Sequence, residues 1–218
     1  MRAYVGLKPP LSTRQSVMSA LSSLSSATTA AWVGVDHFHV TLRFLGNVDA
    51  EPTNFEMLER ACATTTARQV HFGTRLECLG GNALVVPVSG AGDLAATARA
   101  TTKKAEGVRE QEKFFGHMTV ALPETRPELA WADTMLDAPL SGSWFAREVC
   151  VFASETVDGM KSYRVLARFP LLGVPSLPGK ADQAILRSAK PFATSSSLEV
   201  RVSRMCGAAR PSLRYMPP

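Results

Sequence analysis

Apolar and polar positions change period several times along the chain, and each change marks an element. Residues 3–7 alternate loosely among β-formers and stop at Pro9-Pro10, which predicts a first strand. Ser12 or Thr13 is then placed to cap a helix whose apolar face is Val17, Leu21 and Leu24, spaced i, i+4, i+7. The serines in that stretch are weak helix formers, so packing rather than propensity has to hold it. A short strand over 32–35 and a longer one over 36–45 follow, the second closed by Gly46-Asn47. Asp49-Ala50-Glu51-Pro52 opens another helix with Phe55, Leu58 and Cys62 inward and acids in its first turn, where the macrodipole favours them.

Further on, residues 70–79 and 82–88 flank Gly80-Gly81, a hairpin signature. A third helix is predicted over 93–108 and a strand over 115–122, stopped by Pro123. A short helical patch at 127–136 precedes two strands, 144–153 and 161–170, joined through Asp158-Gly159. Hairpins mixed with helical crossovers predict an α+β fold of mainly antiparallel sheets, not a doubly wound parallel one.

Composition narrows the class. With 218 residues, 45% of them hydrophobic, and a net charge of +5, the chain is globular and long enough to bury a sizeable core. It has no apolar run of membrane-spanning length and no secretory h-region at its start, so a cytoplasmic protein without a membrane partner is expected. Cys62, Cys78, Cys150 and Cys206 form no metal-ligand spacing and read as thiols in a reducing compartment. The charge is unevenly spread. Residues 1–172 carry 17 basic and 17 acidic side chains, and residues 173–218 carry seven and two. The balanced part argues against coating of duplex nucleic acid, which needs a basic face, but leaves room for a local basic pocket. Weak periodicity and Pro- and Ser-containing runs mark 173–218 as a basic, disordered extension of a 1–172 domain.

The candidate chemistry sits in two of the four histidine contexts. His39-Val40-Thr41-Leu42 and His117-Met118-Thr119-Val120 repeat one pattern within apolar strands. With 17 threonines in 218 residues, two such hits among four histidines are not expected from composition. Strand alternation puts each His and Thr on one face and anchors the other face in the core. Arg43 continues the first polar face by the same alternation, as a phosphate contact or as an outward salt-bridging residue. His37 and His71 read as ordinary packed residues. Phe115, two before His117, is expected in the core, with base stacking at a cleft edge as the alternative. Two imidazoles and two hydroxyls suit in-line displacement at phosphorus. One imidazole takes a proton from the nucleophile and the other gives one to the leaving oxygen, while hydroxyls hold the non-bridging oxygens. The sequence has no metal-ligand cluster or G-x-S-x-G elbow, so no cofactor is expected.

These twin segments, and the text His37-Phe38-His39-Val40-Thr41-Leu42-Arg43-Phe44-Leu45-Gly46 around the first, resemble the 2H phosphoesterase superfamily, in particular its RNA 2′,3′-cyclic phosphodiesterase branch, long labelled 2′-5′ RNA ligase. The first strand and the closing Tyr163-Arg164-Val165-Leu166-Ala167-Arg168-Phe169-Pro170-Leu171 are similar to that branch too, so the resemblance covers about 1–172. In the second segment Gly116 stands where the family usually has Pro, and Leu122 where it has Arg. The resemblance implies a bilobal fold with pseudo-twofold symmetry and a central cleft. It further implies opening of a 2′,3′-cyclic phosphate on RNA or a nucleotide to a 2′-phosphate. A monomer is expected. By motif, His39 would be the general acid, His117 the general base, and Thr41 and Thr119 the phosphate ligands; the residues alone do not assign which imidazole does which.

Three other readings stand against this one. K-x-x-G occurs at Lys104 and Lys113, but an adenylating ligase needs a larger nucleotide domain than this chain provides. ATP-independent 2′-5′ ligation by the same two histidines stays compatible with the chemistry. So does a non-catalytic nucleotide- or RNA-binding module that keeps the cleft.

Overall fold

The computed structural model describes residues 1–25, 31–48, 52–80, 83–109, 113–122, 140, 142–157 and 160–173. They belong to one compact unit, Met1–Pro175. The helical patch expected at 127–136, the Asp158-Gly159 turn, Cys206 and the extension beyond Gly173 lie outside the described residues.

The strands are β1 (Arg2–Leu7), β2 (Ala31–Trp32), β3 (Val40–Asn47), β4 (Arg68–Phe72), β5 (Glu77–Leu79), β6 (Ala83–Ser89), β7 (His117–Leu122), β8 (Ser143–Ala146), β9 (Glu148–Val157) and β10 (Met160–Pro170). The helices are α1 (Leu11–Ser25), α2 (Glu56–Thr64) and α3 (Gly92–Thr101). No helix among the described residues is long and apolar enough to cross a membrane. The main sheet runs β10-β9-β1-β3-β7-β6-β4-β8, with β2 added to β7 and β5 to β6. The strand pairings are antiparallel. Four strands lie on either side of the β3–β7 junction, so the order has a pseudo-twofold centre where the two His-x-Thr strands meet. The expected α+β class and antiparallel pairing therefore hold.

Alternation along β1 separates the two faces of the sheet. Ala3, Val5 and Leu7 join Val17 and Leu21 of α1 and Leu58 and Cys62 of α2 in the main core. Tyr4 points the other way and packs with Cys150 and Phe152. Helices therefore cover one face, leaving the opposite face to carry a site. Desolvation pushes the Cys62 thiol up to about 11 and, with the Glu148 carboxylate beside it, the Cys150 thiol up to about 12, so both are inert at neutral pH.

Several boundaries differ from expectation. Helix α1 already begins at Leu11, so Ser12 and Thr13 sit inside its first turn instead of capping it. The strand expected over 32–35 is only Ala31–Trp32, and Val35–His37 is a 3-10 turn, so β3 starts at Val40. That turn is held by Arg14 of α1, whose buried guanidinium donates to the carbonyls of Pro9 (3.0 Å) and Val35 (2.6 Å) and pairs with Asp36 (3.1 Å). The strand expected over 70–79 breaks into β4 and β5, and only β5 forms the hairpin with β6. Similarly, the strand expected over 144–153 breaks at Arg147 into β8 and β9, which lie in opposite halves of the sheet. Helix α3 ends at Thr101 instead of Val108.

Candidate active site

The site is built where β3 and β7 begin. Val40 pairs with Met118, and both are fully buried. Continuing that antiparallel register by one residue sets His39 beside Thr119 and Thr41 beside His117, on the face away from the helices. All four are half-buried. The structure thus brings together the two imidazoles and two hydroxyls singled out in the sequence.

Each imidazole is held in the same way. His39 Nδ1 lies 2.6 Å from the carbonyl oxygen of His37, and His117 Nδ1 lies 2.8 Å from that of Phe115. A carbonyl oxygen only accepts, so in each ring Nδ1 carries the hydrogen. In the neutral rings Nε2 is then the nitrogen with an available lone pair. The common i−2 bond follows from the strand entry: both histidines stand just where an irregular segment becomes extended, so the carbonyl two residues back can turn in toward the ring.

The two rings differ in surroundings. His39 packs against Tyr4 (ring centroids 4.8 Å), Tyr163 (4.9 Å) and Phe152 (5.5 Å). Desolvation by this aromatic cradle lowers its pKa to about 4, against an upward pull from the His37 carbonyl and smaller downward pushes from the charges of His117, His37 and Lys8. His39 and His117 are close enough to sense each other electrostatically. His117 instead stacks on Phe115 at 5.7 Å with a 26° interplanar angle. Phe115 is 45% exposed, which corrects the expectation of a core residue: its ring lies beside the histidine, open to solvent.

Arg43 is corrected as well. On β1 and β3, Gly6 faces Thr41 but Val5 already faces Arg43, so Leu42 is the extra residue of a β-bulge. A one-residue slip exchanges faces. Arg43 therefore turns to the helix side, where Nη1 donates to the carbonyls of Ala98 (3.3 Å), Thr102 (2.8 Å) and Arg99 at the end of α3. Phe44, opposite Tyr4, takes its place on the site face.

Two glycines make this packing possible. A Cβ on Gly6 would stand 2.6 Å from the Val40 carbonyl oxygen, and one on Gly116 only 2.2 Å from that of Val88. Gly116 fixes the strand entry beside His117, and its own carbonyl accepts the Val88 amide at 2.8 Å. His37 lies edge-on to Tyr163 at 5.6 Å and supplies the His39 anchor, while His71 is exposed on β4, away from the pair along the sheet. The aromatic cradle and the Arg14 brace were not singled out in the sequence. The only local trace of the cradle is the aromatic Tyr4 inside an otherwise aliphatic strand.

No protein-family model and no curated sequence matches the chain. Among solved structures, TT0787 of Thermus thermophilus is similar with a TM-score of 0.66 at 19% identity, over 79% of this chain and 99% of that one. E. coli LigT, solved with phosphate, gives 0.57 at 20% identity, over 78% and 96%. A third structure, described as a phosphoesterase, gives 0.59 at 20% identity, over 78% and 97%. At such identities the likeness is one of fold, and the fold that this chain carries is the one shared by TT0787, LigT and that phosphoesterase.

Proposed function

We propose that the protein hydrolyses 2′,3′-cyclic phosphate ends of RNA or nucleotides to 2′-phosphates, using His39 and His117 as an acid–base pair without a metal. The observation that carries this reading is the duplicated geometry of the two rings, each tied through Nδ1 to the carbonyl two residues back and each keeping Nε2 for chemistry. It is supported by the fold shared with LigT, which has been solved with phosphate and with 3′-AMP.

In the reaction, His117 Nε2 takes a proton from water as the water oxygen bonds to phosphorus. The P–O3′ bond breaks on the opposite side, and His39 gives its Nε2 proton to the departing 3′ oxygen. The hydroxyls of Thr41 and Thr119 donate to the non-bridging oxygens as charge builds there. The products are a 2′-phosphate and a 3′-hydroxyl, and the two rings exchange protonation states before the next turnover.

A general acid must be protonated, whereas burial keeps His39 neutral at pH 7 in the ligand-free protein. The substrate itself supplies the correction. A single negative charge about 4 Å from the ring, at an effective dielectric constant of about 20, favours the imidazolium by about 4 kcal/mol. That moves a pKa of about 4 to about 7. The aromatic cradle thus makes His39 an acid only when an anion is present.

Purified protein given 2′,3′-cyclic AMP should release 2′-AMP over many turnovers, with regiochemistry read by phosphorus NMR, and should do so in excess EDTA. His39→Ala and His117→Ala should each lower kcat by roughly 10²- to 10⁴-fold. Saturable binding without product, or a 3′-phosphate product, would overturn the reading.

A further inference from the structure

Beyond the histidines, the same strand leads to a second feature. A cavity of about 460 Å³ opens between the far end of β3, the last turn of α3 with the segment after it, and the start of β1. Five of its lining residues are basic: Arg2, Arg43, Arg99, Lys104 and Arg109. No carboxylate lines it among the described residues. In a body whose charges sum to zero, such a concentration of one sign is a local feature of the fold, and a concave patch of positive charge attracts anions.

Arg43 and Lys104 shape the walls of the cavity. Arg43 covers the carbonyls that end α3, and so neutralises the helix terminus that would otherwise repel an anion. Lys104 Nζ donates to the Arg109 carbonyl at 2.7 Å, closing the loop that forms the far wall. Arg2, Arg99 and Arg109 are exposed on the rim, and guanidinium groups match phosphate oxygens with paired donors.

The cavity meets the surroundings of the histidine site at one residue, Phe44. The bulge at Leu42 turns Phe44 onto the site face, where its ring lies 5.8 Å from Tyr4, itself 4.8 Å from His39. Phe44 also lines the cavity, is 42% exposed, and carries the Arg2 guanidinium 6.0 Å above its ring. Because of the bulge, Thr41 to Phe44 spans only the two steps from Gly6 to Tyr4 on β1, an advance of about 7 Å at about 3.3 Å per residue and a short step for a nucleotide chain. An exposed aromatic face interleaved with arginines is the arrangement by which proteins hold single strands, bases on rings and phosphates on cations.

We propose that this pocket holds the backbone phosphates of the strand preceding the reactive end, resting on the cleft chemistry proposed above, so that the preferred substrate is the end of a single-stranded RNA and not a mononucleotide. The test measures binding, with no turnover required. Full-length protein is titrated with a fluorescent short single-stranded RNA ending in a 2′-phosphate, and separately with 2′-AMP, over a range of salt. In an Arg2→Ala/Arg99→Ala variant the ratio of RNA to 2′-AMP affinity should fall about tenfold. The slope of log K against log salt for RNA should flatten by ~1.4, at ~0.7 per lost single-strand phosphate contact. The Arg2→Lys/Arg99→Lys variant should retain the wild-type slope, which separates lost charge from a disturbed fold. An affinity ratio or salt slope that the alanine pair leaves unchanged overturns the pocket. Failure of wild-type protein to bind 2′-AMP, with RNA binding still dependent on the arginine pair, would instead remove the cleft chemistry and keep the pocket.

Discussion

Filling the cleft with a phosphate should change the acid strength of His39 more than that of any other group. Without ligand its ring is enclosed by Tyr4, Tyr163 and Phe152, and its pKa stands at about 4 instead of 6.5. That difference corresponds to about 3 kcal/mol against the imidazolium, at about 1.4 kcal/mol per tenfold change. A bound phosphate ester about 4 Å away returns about 4 kcal/mol at an effective dielectric constant of about 20, enough to cancel the burial cost. The expected pKa in the 2′-AMP complex is about 7. Long-range proton–nitrogen NMR of the imidazoles reads both the titration and the Nδ1–H tautomer, with His39→Gln assigning the signals. Because the complex takes up a proton, 2′-AMP affinity should also weaken as pH rises through the new pKa. A His39 that titrates near 6.5 in the ligand-free protein, or stays near 4 with ligand bound, would refute the role of the cradle.

Three other outcomes follow from the same geometry. Since the folded pKa of His39 lies below its unfolded value, the unfolded chain binds more protons between about pH 6.5 and pH 4. Stability is therefore full above that window and falls by up to about 3 kcal/mol across it on acidification. Denaturant unfolding at a series of pH values should show a flatter curve for His39→Gln, and identical curves would contradict the assignment. Gly116→Ala drives a Cβ against the Val88 carbonyl and should cost about 1–3 kcal/mol of stability, with reduced kcat because His117 is the next residue; an unchanged Tm would show that the strand entry yields freely. Arg14→Lys removes the fork that spans Pro9, Val35 and Asp36, and should lower kcat about tenfold with little change in KM, since the turn that aims His39 loosens. A KM effect alone would reassign Arg14.

The twin histidine strands were legible because their signal is local: period-two alternation, an apolar reverse face and a repeated tetrapeptide. The inward face of the 55–62 stretch was legible for the same reason, with Phe55 just before α2 and Leu58 and Cys62 within it all buried. What escaped was decided by distant partners. A bulge adds one residue to β3 without disturbing the look of alternation, because Leu42 and Arg43 both lie on the core side of the sheet, where Arg43 reaches α3. The end of α3 is in turn set by an arginine more than fifty positions earlier in the chain. The turn at 35–37 depends on Arg14 from another helix, and the cradle of His39 gathers rings from β1, β9 and β10. None of these pairings leaves a spacing pattern to read.

The claim on which the rest depends is that His39 and His117 act as one unit across the β3–β7 junction. A double-mutant cycle on the turnover of 2′,3′-cyclic AMP measures this directly, with His39→Ala, His117→Ala and the double variant compared against wild type. Each single change should cost roughly 10²- to 10⁴-fold in kcat. The double variant should lose little more than either alone, because neither ring works without its partner. Losses that multiply in the double variant would mean that the two histidines act independently, and would contradict the account.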